Sequence, residues 1–75
     1  MANTNPAYDV ARMRVDIALK GWLPSDLARK ARVSGMTVSR FLRGDGQTAR
    51  TAAKLAKALG YSVRRYLISE RQEVA

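Results

Sequence analysis

The segment Ser34-Gly-Met-Thr-Val-Ser-Arg-Phe-Leu-Arg43 constrains this chain most, because as a helix it has two chemically opposite sides. Met36, Ser39, Arg40 and Arg43 recur at i, i+3, i+4 and i+7 and share one side. Val38, Phe41 and Leu42 share the other. The apolar side has to dock on a core, which leaves two guanidiniums, a hydroxyl and a thioether turned to solvent. Directly upstream, Pro24 to Ala31 has a second short helical pattern, separated from the first only by Arg32-Val33-Ser34. A chain with this pair must bury its apolar sides by packing helix on helix. No segment shows the strict alternation of a strand, so no β-hairpin is expected.

The rest of the chain continues the pattern. Met1 to Thr4 reads as a short arm, and Asn5-Pro6 as the opening of a first helix, with Asn as cap and Pro at its first position. Val10, Met13 and Ile17 form its inner stripe, and Gly21 closes it. In the second helix, Asp26 falls in the first turn, where free N–H groups favour a carboxylate. Trp22 and Leu27 have the spacing of a hydrophobic staple. Ser34 is placed to cap the third helix and Gly44 to end it. Thr48 is placed to cap a fourth helix, with Ala52, Leu55, Ala56 and Leu59 inside, Arg50, Lys54 and Lys57 outside, and Gly60 at its end. Ser62 then caps a fifth helix to about Ile68, with Val63, Tyr66 and Leu67 as core candidates. The expected fold class is all-α with five helices, as a single domain over residues 1–75 whose ends, 1–5 and 69–75, are flexible. The expected core is Val10, Met13, Ile17, Leu27, Ala28, Val33, Val38, Phe41, Leu55, Leu59 and Leu67.

Composition narrows the function. With 75 residues the chain is of single-domain size, and such a domain buries only about 60% of its unfolded surface. Lys+Arg number 14 and Asp+Glu 6, a net charge of +8 that favours a polyanionic partner. The basic residues are spread over several helices, unlike an amphipathic membrane anchor. Cysteine and histidine are both absent. Disulfides, zinc fingers and most metal sites are therefore excluded, as are Ser-His and Cys-His nucleophile pairs. No enzymatic activity, cofactor, metal or small-molecule ligand is expected. Met1-Ala-Asn-Thr-Asn5 has no signal-peptide character, and no apolar run nears the ~20 residues that span a bilayer. A cytoplasmic location without membrane association is the expectation.

Two short helices around a tight turn, the second with an outward row of hydrogen-bonding side chains, have the pattern of a helix-turn-helix DNA reader. Leu27-Ala-Arg-Lys-Ala-Arg-Val-Ser-Gly-Met-Thr-Val-Ser-Arg-Phe-Leu-Arg-Gly44 and Ala53-Lys-Leu-Ala-Lys-Ala-Leu-Gly-Tyr-Ser62 resemble the phage Cro/repressor (Xre-type) helix-turn-helix family. The resemblance covers about Asp9 to Leu67. Thr37-Val-Ser-Arg40 and Leu59-Gly-Tyr61 are also similar to the Lac repressor headpiece, but there the motif starts almost at the N-terminus. The resemblance implies a lambda-repressor-like DNA-binding domain. The chain departs from the family in two places: Arg32 stands where glycine is usual, and Pro24 where a DNA-touching glutamine is frequent.

Helix 35–43 is expected to lie in the major groove. The candidates for base contacts are Ser34, Gly35, Met36, Ser39 and Arg40, with Arg40 foremost because a guanidinium bonds guanine O6 and N7 together. Met36 serves either as a thymine-methyl contact or as partial core. Arg43, Gln47, Thr48, Arg50 and Lys54 are the candidates for phosphate contacts, aided by the N-terminus of the fourth helix. Arg12, Arg14 and Lys20 are expected only to raise the general positive field. The expected function is a sequence-specific regulator of transcription, phage- or plasmid-like, acting on double-stranded DNA as a homodimer at a pseudo-palindromic operator. Trp22 and Tyr61 are read as partly buried side chains or dimer contacts. Two alternatives stand beside this reading. One is the antitoxin of a toxin–antitoxin pair, with a toxin protein as second partner. The other is a protein-interaction module whose helix-turn-helix no longer reads DNA.

Overall fold

A computed structural model describes residues 8–67, which form helices α1 (Val10–Leu19), α2 (Pro24–Ala31), α3 (Gly35–Leu42) and α4 (Ala49–Leu59), followed by a 3₁₀ turn at Val63–Tyr66. Local capping chemistry sets most of these limits. The Thr37 N–H donates to Ser34 Oγ at 3.1 Å and the Thr51 N–H to Thr48 Oγ1 at 3.2 Å, each cap being worth about 1 kcal/mol. At α2 the Leu23 N–H donates to Asp26 Oδ2 at 2.7 Å. That bond, and the Arg29 guanidinium at 2.7 Å, hold the Asp26 carboxyl below its ordinary range. Gly60 ends α4 at a φ of 92°, a left-handed geometry that glycine adopts without steric cost.

Two expectations about helix limits are corrected. The expected opening at Asn5-Pro6 lies outside the described residues, and the first helix starts at Val10, capped by Asp9, whose Oδ1 accepts from the Arg12 N–H. The chain before it is occupied differently. Tyr8 makes an isolated antiparallel bridge to Leu67, and the Asp9 N–H donates to the Tyr66 carbonyl at 2.7 Å. The predicted fifth helix is only a single 3₁₀ turn, because at Leu67 the backbone is already extended to make that bridge. The all-α class stands, with four α-helices among the described residues. The expected flexible ends fall outside the described residues.

The core is built from all of these elements. Met13, Leu27, Val38, Phe41, Ala52, Leu55, Ala56 and Tyr66 are fully enclosed, and Tyr8, Ile17, Ala28, Leu42 and Leu59 nearly so. Val10, Val33 and Leu67, expected inside, are half-buried against this cluster. Trp22 and Leu27 flank the start of α2 at the staple positions, Trp22 half-buried and Leu27 buried. The ring of Tyr8 packs on Phe41, with centroids 5.5 Å apart.

One buried charge carries no signal in the sequence pattern. Asp16 is only 3% exposed, yet it is fully partnered. Arg65 grips it with two bonds, Nε to Oδ2 at 2.8 Å and Nη2 to Oδ1 at 3.0 Å, and the Tyr66 hydroxyl donates to Oδ2. The Arg65 bonds, joined by that of Tyr66, hold the Asp16 carboxyl below its ordinary range against the opposing effect of burial. Burial and the adjoining carboxylate push the Tyr66 hydroxyl well above its own. This triad fastens the 3₁₀ turn to α1.

Candidate nucleic-acid interface

Helix α3 is seated by its apolar side. Val38 and Phe41 are fully enclosed and Leu42 nearly so, and burying each contributes about 1.5–3 kcal/mol. The opposite side is open. Gly35, Met36, Ser39, Arg40 and Arg43 are all exposed, and Met36 is 67% accessible. Met36 is therefore not part of the core. The helix proper ends at Leu42, one residue short of the expected 43, and Arg43 is its C-cap.

Both ends of α3 are fixed. Ser34 spends its hydroxyl at the N-terminus, accepting from the Thr37 N–H and pairing with Thr37 Oγ1 at 2.9 Å. At the C-terminus two side chains bind the last carbonyls. Gln47 Nε2 donates at 2.9 Å to the Phe41 carbonyl, which also accepts from the Gly44 N–H at 3.0 Å, and Arg14 Nη2 donates to the Leu42 carbonyl at 3.4 Å. A helix end otherwise leaves its last carbonyls short of partners. Neither role is legible in the sequence, where Gln47 reads only as a polar loop residue and Arg14 only as a surface charge. No periodicity links Arg14 to a carbonyl 28 residues away. Gly44, at a φ of 89°, turns the chain sharply after the helix. Asp45 then comes back beside α3, its N–H donating to the Arg40 carbonyl at 2.8 Å and its Oδ2 lying 3.7 Å from Arg40 Nε. That ion pair is exposed at both partners, so it orients Arg40 more than it stabilises the fold.

The turn between α2 and α3 has the compact form that the motif needs. Arg32 has a φ of 62° and a ψ of 44°, the left-handed conformation, and is the one described non-glycine residue with positive φ. The conformation lets the N–H groups of Arg32 and Val33 return to the last turn of α2, Val33 reaching the Ala28 carbonyl at 3.0 Å. An arginine here costs roughly 1 kcal/mol relative to glycine. The departure at Arg32 is thus accommodated as strain, with the turn preserved. Pro24 occupies the first position of α2, where a missing N–H costs nothing.

A helix-turn-helix family model matches residues 12–65, most of the chain. This chain belongs to the Cro/C1-type helix-turn-helix family. Neither the curated proteins nor the solved structures contain a match to it. Membership makes this a DNA-binding helix-turn-helix domain, of a family of DNA-binding regulators.

In this helix-turn-helix domain α3 is the second helix of the motif, so the exposed row on α3 occupies the position of a recognition helix. Thr48 and Arg50 lie at the exposed start of α4, after the Gly44–Gln47 loop that leads away from Arg43. Thr48 spends its hydroxyl as the cap, while the first N–H groups of α4 point out of the helix end as anion donors. Lys54 is not gathered with them. It lines a different groove, with Lys57, Lys30 and Arg32. The ammonium groups of Lys20 and Lys30 each lie 5.3 Å from the centroid of the Trp22 ring, and Tyr61 carries the Arg65 guanidinium at 4.1 Å. Among the described residues no helix is long and apolar enough to cross a membrane.

Proposed function

We propose that the chain is a sequence-specific regulator of transcription that reads double-stranded DNA through α3, as a single domain over residues 1–75. The observation that supports this most is the combination on one helix of a fully buried apolar side, two fixed ends and an exposed Met36–Ser39–Arg40 row. A recognition helix must hold its side chains in register with base edges, so rigid seating is part of the reading. In this account Arg40 bonds a guanine, Ser39 accepts or donates to a neighbouring base edge, and Met36 covers a thymine methyl. Gly35 and Ser34 let the N-terminal end of α3 approach the bases closely. Arg43, Arg50 and the start of α4 at Thr48 hold backbone phosphates, with Gln47 bracing the loop between them.

One such helix spans only a few base pairs. Two copies on a two-fold axis double the footprint, so we propose a homodimer on a pseudo-palindromic operator. Selection of bound sequences from a random duplex pool tests both statements. Enrichment of an inverted repeat with half-sites about 10–10.5 base pairs apart is the expected result. Binding at low salt with no enriched sequence would remove the reading of bases, and no binding at all would remove the proposal.

A further inference from the structure

Arg32 combines two features. Its backbone holds the left-handed geometry of the turn into α3, which glycine adopts without steric cost, and its side chain lines an open groove of about 400 Å³ between α2 and α4, apart from the exposed row on α3. The other lining residues are Lys30, Ala31, Lys54, Lys57 and Ala58. The floor is therefore two alanines and the walls are four cations. None of the four has an acidic partner among the described residues, where Asp9, Asp16, Asp26 and Asp45 pair with Arg12, Arg65, Arg29 and Arg40. Lys30 is held at one edge by the Trp22 ring. The C-terminus of α2 offers only roughly half a negative charge to this cluster. Four like charges around so small a space repel one another, and a strained arginine adds to that repulsion where a glycine would relieve both costs. A backbone outlier maintained in this way points to a use for its side chain.

We infer that the α2–α4 groove is a second anion site, separate from the α3 ridge, that takes closely spaced phosphate groups. Arg32 supplies the planar fork that binds phosphate oxygens in pairs. Lys54 and Lys57, on one face of α4 at i and i+3, supply two point charges, and the alanine floor leaves the phosphates room to approach. The phosphates come either from a free oligophosphate or from the backbone of a nucleic-acid strand crossing this face, since both present the same anionic oxygens.

The test is a titration of the isotope-labelled full chain with inorganic triphosphate at fixed ionic strength, followed through backbone amide shifts. Saturable shifts concentrated at residues 30–32 and 54–58 are expected. Arg32→Gly weakens the binding about five- to tenfold while the melting temperature stays equal or rises, because glycine relieves the strain. The double variant Lys54→Gln/Lys57→Gln gives a second, independent loss if Arg32→Gly alters the turn. A short duplex titrated into Arg40→Ala/Arg43→Ala separates the two phosphate sources: shifts at the groove identify a nucleic-acid strand, and shifts with triphosphate alone identify a free oligophosphate. Shifts scattered over every basic face, or affinity unchanged in both groove variants, would overturn the site. The triphosphate titration of Arg40→Ala/Arg43→Ala is expected to match that of the parent chain, so the groove is judged separately from the reading of operator DNA by α3.

Discussion

Helix α3 rests on Val38, Phe41 and Leu42, three apolar side chains at its back. The seam between α1 and the 3₁₀ turn is centred instead on the buried Asp16 carboxylate, with Arg65 and the Tyr66 hydroxyl around it. The two contacts serve the same end, since α3 must sit rigidly and the last turn of the chain must close the domain. They do so through forces of different character. Apolar burial is non-directional and indifferent to pH, so it leaves the outer side of α3 free to carry any side chain that DNA reading requires. The triad is directional and depends on every member being present, because a buried polar group that loses its partner keeps its desolvation cost. A domain this small is served by both, with bulk burial behind the exposed side of α3 and specific polar closure between α1 and the 3₁₀ turn.

Removing the apolar seat should have the largest effect. Phe41→Ala is expected to cost about 3–5 kcal/mol, a large share of the stability of a 75-residue domain; denaturant unfolding measures it. A loss below 1 kcal/mol would show that α3 is not held by its back. Asp16→Asn leaves Arg65 and Tyr66 poorly satisfied and is expected to cost about 1–3 kcal/mol. This loss should be pH-dependent. The Asp16 carboxyl is lowered in the fold, so its contribution is complete above the ordinary aspartate value of 3.8 and is lost as pH falls through the lower native value. Melting curves across this acid range should fall more steeply for the parent chain than for Asp16→Asn, and parallel curves would remove the triad from the account.

Substitutions on the outer side of α3 should leave the fold almost untouched, within about 0.5 kcal/mol, and act on DNA alone. Arg40→Ala is expected to erase about 1–3 kcal/mol of discrimination at one operator position. Uniform weakening across all sequences would make Arg40 a backbone contact. Arg43→Ala has the smallest expected effect, a slope of log affinity against log salt shallower by about 1, and an unchanged slope would remove Arg43 from the phosphates.

Much of α3 is legible in the sequence because its signals are local. Ser34, Val38, Phe41 and Gly44 lie within one helix and its caps, and their spacing is the periodicity of that helix. The same holds for α4 between Thr48 and Gly60. The start of α1 misled because Asn5-Pro6 is as good a local opening as Asp9, and only the bridge from Tyr8 to Leu67 decides between them. The outward position of Lys54 on α4 carries no sign of its neighbours across the fold, and only the packing of α2 against α4 puts it in one groove with Arg32.

The sequence by itself determined the helices of the motif, their caps and which side of each is apolar, since these follow from interactions among residues three or four positions apart. Tertiary structure alone decided that Asp16 is buried against Arg65 and Tyr66, 49 and 50 residues away, that Arg14 binds the end of α3, and that three lysines converge around a strained Arg32. Those pairings join segments whose separation along the chain carries no periodic signal, so only the packing of one helix on another brings their charges within reach.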